Sequence, residues 1–420
     1  MSVSTSPAPA PGDPYAALRL PDFRRFIVFL AAQTLAVMMQ GVAVGWQLYL
    51  ATHDPLALGI VGLAEALPFI GLALPAGHLA DRFDRRRIAL AGVAVLTLCS
   101  SALLAFTLFG LVRPDTAWLV YAAIFASGIA RSFLQPARTA LSADMVPRVL
   151  YANSITWRSS VWQSAAVIGP AAGGVLVALG GPGLAYGAAA ALLALSWGVL
   201  FRVGRYPHPE PAEGSRRVAG LSGFLEGIRF VLSQPVLLGA QALDLFSVLF
   251  AGAEALLPVF AVDILHVGAS GLGVLRAAPA VGSVIMALYQ SFRPLEGRRG
   301  RILLVSVGLY GLCISGFGIS RSFVLSVVLL LLSGVFDNIS VVLRSTLLQT
   351  LTPRHLFGRV AAVNAIFIGS SNEVGAFESG VAARLLGTIP AVVLGGLVPI
   401  GVVGLIAWRV PSLRKLERIG

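Results

Sequence analysis

The sequence predicts an all-α integral membrane protein with twelve transmembrane helices in two pseudo-symmetric six-helix bundles. Three observations carry this. Of the 420 residues, 57% are hydrophobic and 12% charged, with a mean hydropathy of +0.84, more apolar surface than a water-soluble fold needs. The apolar residues fall into runs close to the length of about 20 that crosses the hydrocarbon as a helix. The second half also echoes the first: "VGLAEALPFIG" (61–71) returns as "LGVLRAAPAVG" (272–282), with Gly62, Pro68 and Gly71 answered 211 residues later by Gly273, Pro279 and Gly282, and Glu65 answered by Arg276.

In chain order, residues 1–24 are rich in Ser, Pro and Ala. They lack the basic start, apolar centre and small-residue cleavage site of a signal peptide, and are expected to form a disordered tail. Spans are predicted at 25–51, 56–79, 88–112, 117–141, 153–180 and 185–203, giving an N-terminal bundle over 25–203. A linker over 204–234 combines a polar, Pro/Gly-rich stretch with "LSGFLEGIRFVL" (221–232), whose apolar spacing suits a helix lying on a membrane surface. A second bundle over 235–408 follows, with spans at 235–262, 270–292, 302–319, 323–349, 360–385 and 389–408, then a tail over 409–420.

Charge distribution sets the expected orientation. With the N-terminus inside, 23 of the 31 Lys and Arg fall in cytoplasmic segments and only Arg113 and Arg321 on the opposite side. This is the positive-inside pattern, expected of a multi-pass plasma (inner) membrane protein with both termini cytoplasmic. The net charge of +12 therefore points to lipid headgroups rather than nucleic acid. Cys99 and Cys313 both lie in predicted spans and the five histidines are scattered, so no disulfide framework or metal site is expected. Nothing in the sequence argues for more than a monomer.

The repeat extends to "RTALSADMVPR" (138–148) in the fourth span and "RSTLLQTLTPR" (344–354) in the tenth. Parallel repeats of this kind are typical of secondary transporters that rock one bundle against the other around a central site. The loop after the second span, "GHLADRFDRRR" (77–87), resembles the signature loop of the major facilitator superfamily. Gly77, Asp81, Arg82, Arg85 and Arg86 match, while Asp84 replaces a glycine at a place where positive φ would be cheap only for glycine. The resemblance implies that Asp81 faces a helix end of the other half and that the loop latches the cytoplasmic side. "AAVIGPAAGG" (165–174) resembles that superfamily's antiporter signature through Gly169, Pro170, Gly173 and Gly174, with Ala165 in place of the first glycine. Small residues with a proline suit a bent helix packed between the halves, and the resemblance implies export. "LPDFRRF", "LQPARTAL" and "SSNEVGAFESG" extend it to the enterobactin-exporter-like group of secretion and efflux transporters.

Twelve charges lie within the predicted spans: Glu65, Asp244, Glu254, Asp337, Glu373 and Glu378, and Arg131, Arg138, Arg158, Arg276, Arg344 and Arg384. A charge at the bilayer centre costs about 2.5–3.5 kcal/mol on insertion scales, so pairing or water is expected at each. The resemblance implies that spans 1, 4, 7 and 10 line a cavity and 2, 5, 8 and 11 form the seam. All twelve charges fall in these sets, Glu65 and Arg276 on the seam. Gln33, Gln40 and Gln47 recur at seven residues, as do Arg131 with Arg138 and Asp337 with Arg344, which places each set along one helix face. Gln33, Gln40, Arg131, Arg138 and Arg344 are the candidate cavity and substrate residues.

No nucleotide-binding loop or nucleophile–base pair occurs, so neither an ATPase nor another enzyme is expected. An ion gradient, without cofactor, should drive transport. A carboxylate without a fixed partner can exchange a proton as its surroundings change; the candidates are Asp244 and Asp337, then Glu254 and Glu373. The expected function is proton-coupled export of an amphipathic small molecule, a siderophore or drug, by alternating access. Trp46, Trp157, Trp162, Phe246 and Phe250 are candidate apolar contacts. Arg131 and Arg138 favour an anionic solute and Asp244 and Asp337 a cation, which leaves the substrate's charge open. The alternatives are a lysophospholipid flippase of the same fold and a non-transporting receptor or scaffold.

Overall fold

The computed structural model describes residues 13–206, 221–293 and 297–416. Its helices are α1 (Pro21–Thr52), α2 (Pro55–Arg82), α3 (Arg85–Leu108), α4 (Trp118–Asp144), α5 (Tyr151–Phe201), α6 (Leu221–Ser233), α7 (Pro235–Phe250), α8 (Leu257–Val259), α9 (Gly268–Phe292), α10 (Arg299–Ile319), α11 (Phe323–Leu351), α12 (Phe357–Leu386), α13 (Thr388–Arg409) and α14 (Pro411–Arg414). Nine helical segments among the described residues are long and apolar enough to cross a membrane. The expected twelve is reached by counting α5 twice and adding α4 and α12, which lie outside those nine.

Helix ends follow local chemistry. Proline opens α1, α2 and α7, where its missing N–H costs nothing. Asp54 caps α2 by accepting from the Leu56 N–H. Within α5, Gly180 and Gly181 leave helical geometry, with φ of +72° at Gly181, immediately before Pro182. That conformation suits glycine, and it divides the helix into the expected fifth and sixth spans.

Two sequence expectations need correction. The seventh span is not one helix: α7 stops at Phe250, and the path continues through a 3-10 turn (Ala253–Leu256), α8 and a π turn (Phe260–Ile264). Gly252 lies at the break, where a Cβ would stand 3.0 Å from Ser379 Oγ, and Pro258 falls inside the continuation. The second correction concerns the tail over 1–24. Residues 1–12 lie outside the described set, but residues 13–24 are folded. The Asn153 and Trp157 side chains donate to the Pro14 carbonyl at 2.8 and 2.9 Å, and the Ala17 N–H donates to Asn153 Oδ1. Ala16, Ala17 and Phe23 are buried there, which offsets the ordering entropy. Trp157 thus holds the N-terminal segment, and its indole N–H is used in doing so.

Most of the linker's polar stretch, residues 207–220, lies outside the described set. Helix α6 packs on α12, where Glu226 pairs with Arg359 at 2.5 Å. The C-terminal segment folds back on α10, with the Gly300 N–H donating to the Leu416 carbonyl.

Two helix pairs join the bundles, α2 with α12 and α5 with α9. Both are built on small residues. A Cβ on Gly62 would stand 2.7 Å from the Ala376 Cβ, and one on Gly174 would stand 2.8 Å from the Gly273 Cα. In a bilayer such contact replaces the hydrophobic effect as the force between helices. Gly169 and Gly173 of the antiporter-like stretch instead pack on Met38 and Met39 of α1, in their own bundle.

Candidate functional site

A cavity of about 140 Å³ lies between the bundles, lined by Gln40 and Gly41 of α1, Glu65 of α2, Arg131 of α4, Glu254 at the helix break, Arg276 of α9 and Glu373 of α12. Five charges from four different helices and the break thus meet in one space. Glu65 pairs with Arg131 at 2.8 Å within the first bundle. Arg276 crosses from the second bundle and donates to the Gly41 carbonyl at 3.0 Å. The guanidinium lies against Gly41, where a Cβ would stand in ordinary van der Waals contact 3.4 Å from Arg276 Nη2. Glu373 comes within hydrogen-bonding reach of Glu65 and feels the charges of Arg131 and Arg276. Three carboxylates and two guanidiniums give this cluster one negative charge in excess when all are ionised.

The remaining candidates occupy other places. Asp244 and Arg344 form a buried ion pair between α7 and α11, and Arg344 also donates to Ser340 Oγ at 3.1 Å. Asp244 therefore has a fixed partner. Asp337, one face along α11, interacts with the charge of Glu254 and has no cationic partner in an ion pair among the described residues. The Tyr310 hydroxyl near it donates to the Ala251 carbonyl at the helix break. Arg138 donates to Gln33 Oε1 at 2.7 Å. Gln40 is buried and lines the cavity, whereas Gln47 turns away and accepts from Thr107 of α3 at 3.1 Å. Seven residues fall about 20° short of two full turns, so the three glutamines drift off a common face. Phe246 and Phe250 stack on each other with centroids 6.2 Å apart.

At the end where the chain termini lie, the signature loop makes contacts inside its own bundle. Arg85 pairs with Asp144 at 2.6 Å, and Arg86 donates to the Phe201 carbonyl and lies over its ring. Arg82 is exposed, and nothing stands within 4 Å of where a Gly77 Cβ would be. The side chain of Asp81 lies outside the described set. Asp84, where the resemblance has glycine, has φ of −56° and accepts from the N–H groups of Arg86 and Arg87. The turn needs no positive φ, and the aspartate serves as the N-cap of α3.

The opposite end carries contacts that sequence reasoning missed. The Tyr49 hydroxyl of α1 donates to Asp263 of the π turn, and Asp54 pairs with Arg384 of α12 at 3.2 Å. Gly59 and Gly380 touch beside them. Each of these links one bundle to the other, while the described ion pairs at the terminus-bearing end, Arg19 with Asp13, Arg25 with Asp22, Arg85 with Asp144, Arg87 with Asp84 and Arg359 with Glu226, stay within a bundle or join it to its own linker helix. Asp263 and Tyr49 sit near span ends, where a polar side chain raises no question of burial, so spacing alone gave no signal.

Comparison with known proteins agrees with this architecture. A family model described as transmembrane secretion effector matches residues 12–419. The enterobactin exporter EntS of Citrobacter koseri is 30% identical over 410 residues, covering 95% of this chain and 94% of its own. The POT family transporter PepTSo superposes with a TM-score of 0.74 at 12% identity, over 94% of this chain and 98% of that one. A bacterial homolog of the human lysosomal transporter Spinster, in an inward-facing and unoccupied conformation, gives 0.70 at 15% identity, over 94% and 96%. The last two speak to fold alone. The chain belongs to the transmembrane secretion effector family, within the major facilitator superfamily of membrane transporters.

Proposed function

We propose that the protein is a proton-coupled exporter of amphipathic, siderophore-like small molecules that works by alternating access as a monomer in the plasma (inner) membrane, with both termini cytoplasmic. The similarity to an enterobactin exporter over almost the whole chain supports the substrate class. The observation that carries the coupling is the meeting of Glu65 and Glu373 across the two bundles beside Arg131 and Arg276. A proton on Glu373 lets it hydrogen-bond to the Arg131-paired Glu65 and holds the bundles together. Its departure sets two like charges against each other, while Arg131 and Arg276 offer each a cation. Proton occupancy is thereby tied to the relative position of the bundles, which is what coupling to a gradient requires. Glu373 takes precedence over Asp244 as the coupling acid because Arg344 neutralises Asp244. Glu254 lines the same cavity, and Asp337 lies close enough to feel its charge. With bundle-to-bundle contacts at the far end and none of the described ion pairs spanning the bundles at the terminus-bearing end, this reading makes the conformation open to the cytoplasm. No cofactor is needed.

The test is uptake into inside-out vesicles of a labelled catecholate siderophore, a lipophilic cationic dye and a fluorescent lysophospholipid, each with an imposed pH gradient and again after an uncoupler. The proposal expects siderophore uptake that vanishes with the gradient. Movement of the lysophospholipid alone, indifferent to the gradient, would replace it with a lipid flippase.

A further inference from the structure

The two halves treat one arginine differently. In the second bundle Arg344 is neutralised by Asp244. Its counterpart in the first bundle is Arg138, since "RTALSADMVPR" and "RSTLLQTLTPR" align. The position related to Asp244 by the 211-residue spacing that links Glu65 to Arg276 is Gln33, and Gln33 is the residue that Arg138 contacts, at 2.7 Å. The contact is preserved between the halves but the counter-charge is removed. An amide oxygen accepts a hydrogen bond without cancelling a guanidinium charge.

A second unneutralised cation stands beside it. Arg158 of α5 donates to the Ser142 and Thr139 hydroxyls of α4 at 2.9 and 3.4 Å. It lies close enough to Arg138 for their like charges to repel. Neither arginine forms an ion pair with a carboxylate among the described residues, whereas Arg131, Arg344, Arg359 and Arg384 all do. Two adjacent guanidiniums inside membrane spans, held only by neutral oxygens, are costly without an anion to face. Their forked donors match planar or tetrahedral oxyanions.

We infer that Arg138 and Arg158 form an anion subsite on the first-bundle wall of the transport pathway, which receives a carboxylate, phenolate or phosphate group of the amphipathic solute. This rests on the exporter reading and deepens it. It favours an anionic group on the solute, received on the first-bundle side, with Glu254 of the second bundle facing the cavity.

The test is binding to the purified full chain in detergent, followed by fluorescence anisotropy, of two dyes that share a xanthene ring: the anion fluorescein and the cation rhodamine 6G. Arg138→Gln and Arg158→Gln should each weaken fluorescein by about tenfold or more, the loss of a charge-assisted hydrogen bond, and leave rhodamine 6G within about twofold. Gln33→Glu is the discriminating variant. It supplies the carboxylate that the second bundle already has, so it should leave the fold intact by thermal unfolding and still remove fluorescein binding. Arg138→Lys should retain part of the affinity. Undiminished fluorescein binding in Gln33→Glu and in the double Arg138→Gln, Arg158→Gln variant would overturn the subsite, as would a wild-type protein that does not distinguish the dyes. Displacement of fluorescein by phosphatidylglycerol but by no soluble carboxylate would likewise overturn its assignment to the transported solute, giving it to a lipid headgroup. Binding in detergent needs no gradient. Intact dye discrimination with gradient-independent uptake therefore refutes the coupling and not the subsite, and the converse result refutes the subsite alone.

Discussion

Arg276 of α9 donates to the Gly41 carbonyl of α1 at 3.0 Å, so a cation rooted in one bundle is held by the backbone of the other. The same guanidinium feels the charge of Glu373. It therefore has two claims on it, one that ties the bundles together and one that depends on the protonation of a carboxylate. Arg276→Gln should cut gradient-driven uptake by about tenfold or more, the size of a lost charged hydrogen bond, and Arg276→Lys should recover part of it. Vesicle uptake beside the wild type, at matched expression, checks this.

The Asp244 and Arg344 pair has a structural consequence. Asp244→Asn strands a buried cation and should destabilise the protein by about 3–5 kcal/mol, while Asp244→Arg combined with Arg344→Asp should restore much of the loss. Thermal unfolding in detergent reads both. Equal stability of Asp244→Asn and wild type would mean that the pair is not closed in the membrane protein as purified.

At the seam, Gly174 packs against Gly273 with no room for a side chain. Gly174→Leu should cost about 1–3 kcal/mol by overpacking and should also force the bundles apart at the end opposite the termini. Cysteines at 54 and 384, positions that pair in the structure, should cross-link readily in the wild-type background and poorly in the variant.

The departure from the superfamily loop at Asp84 can be tested directly. As an N-cap, Asp84→Ala should cost about 0.5–2 kcal/mol, whereas Asp84→Gly, which restores the signature, should cost only a few tenths. Thermal unfolding of the two variants should rank them in that order.

The membrane class, the two halves and the set of spans that carry charge were all legible in the sequence, because each follows from composition, from repeat spacing or from the cost of an ion in lipid. The pairing of those charges was not. Glu65 and Arg276 correspond in the repeat, yet Glu65 pairs with Arg131 and Arg276 finds a backbone carbonyl. Correspondence between halves says which positions are related by symmetry, and residues so related lie on opposite bundles without having to touch. The break in the seventh span was invisible for a different reason. Gly252 and Pro258 flank Glu254 in a run that is otherwise apolar enough to read as one span, and hydropathy reports depth in the membrane, not helical continuity. Asp84 read as a defect in a glycine turn and proved to be a cap, because the carboxylate solves by hydrogen bonding what glycine would solve by conformational freedom.

In the proposed cycle the Glu373 carboxyl, which faces Glu65 across the bundles, takes up and releases the proton as the bundles rock. The most direct measurement is substrate-driven proton movement in liposomes containing only this protein, with a pH-sensitive dye in the lumen and a catecholate siderophore added outside. Addition of substrate should change the lumenal pH with the wild type and not with Glu373→Gln, with siderophore binding to the detergent-purified variant retained. Proton movement at the wild-type rate in Glu373→Gln would contradict the proposed cycle.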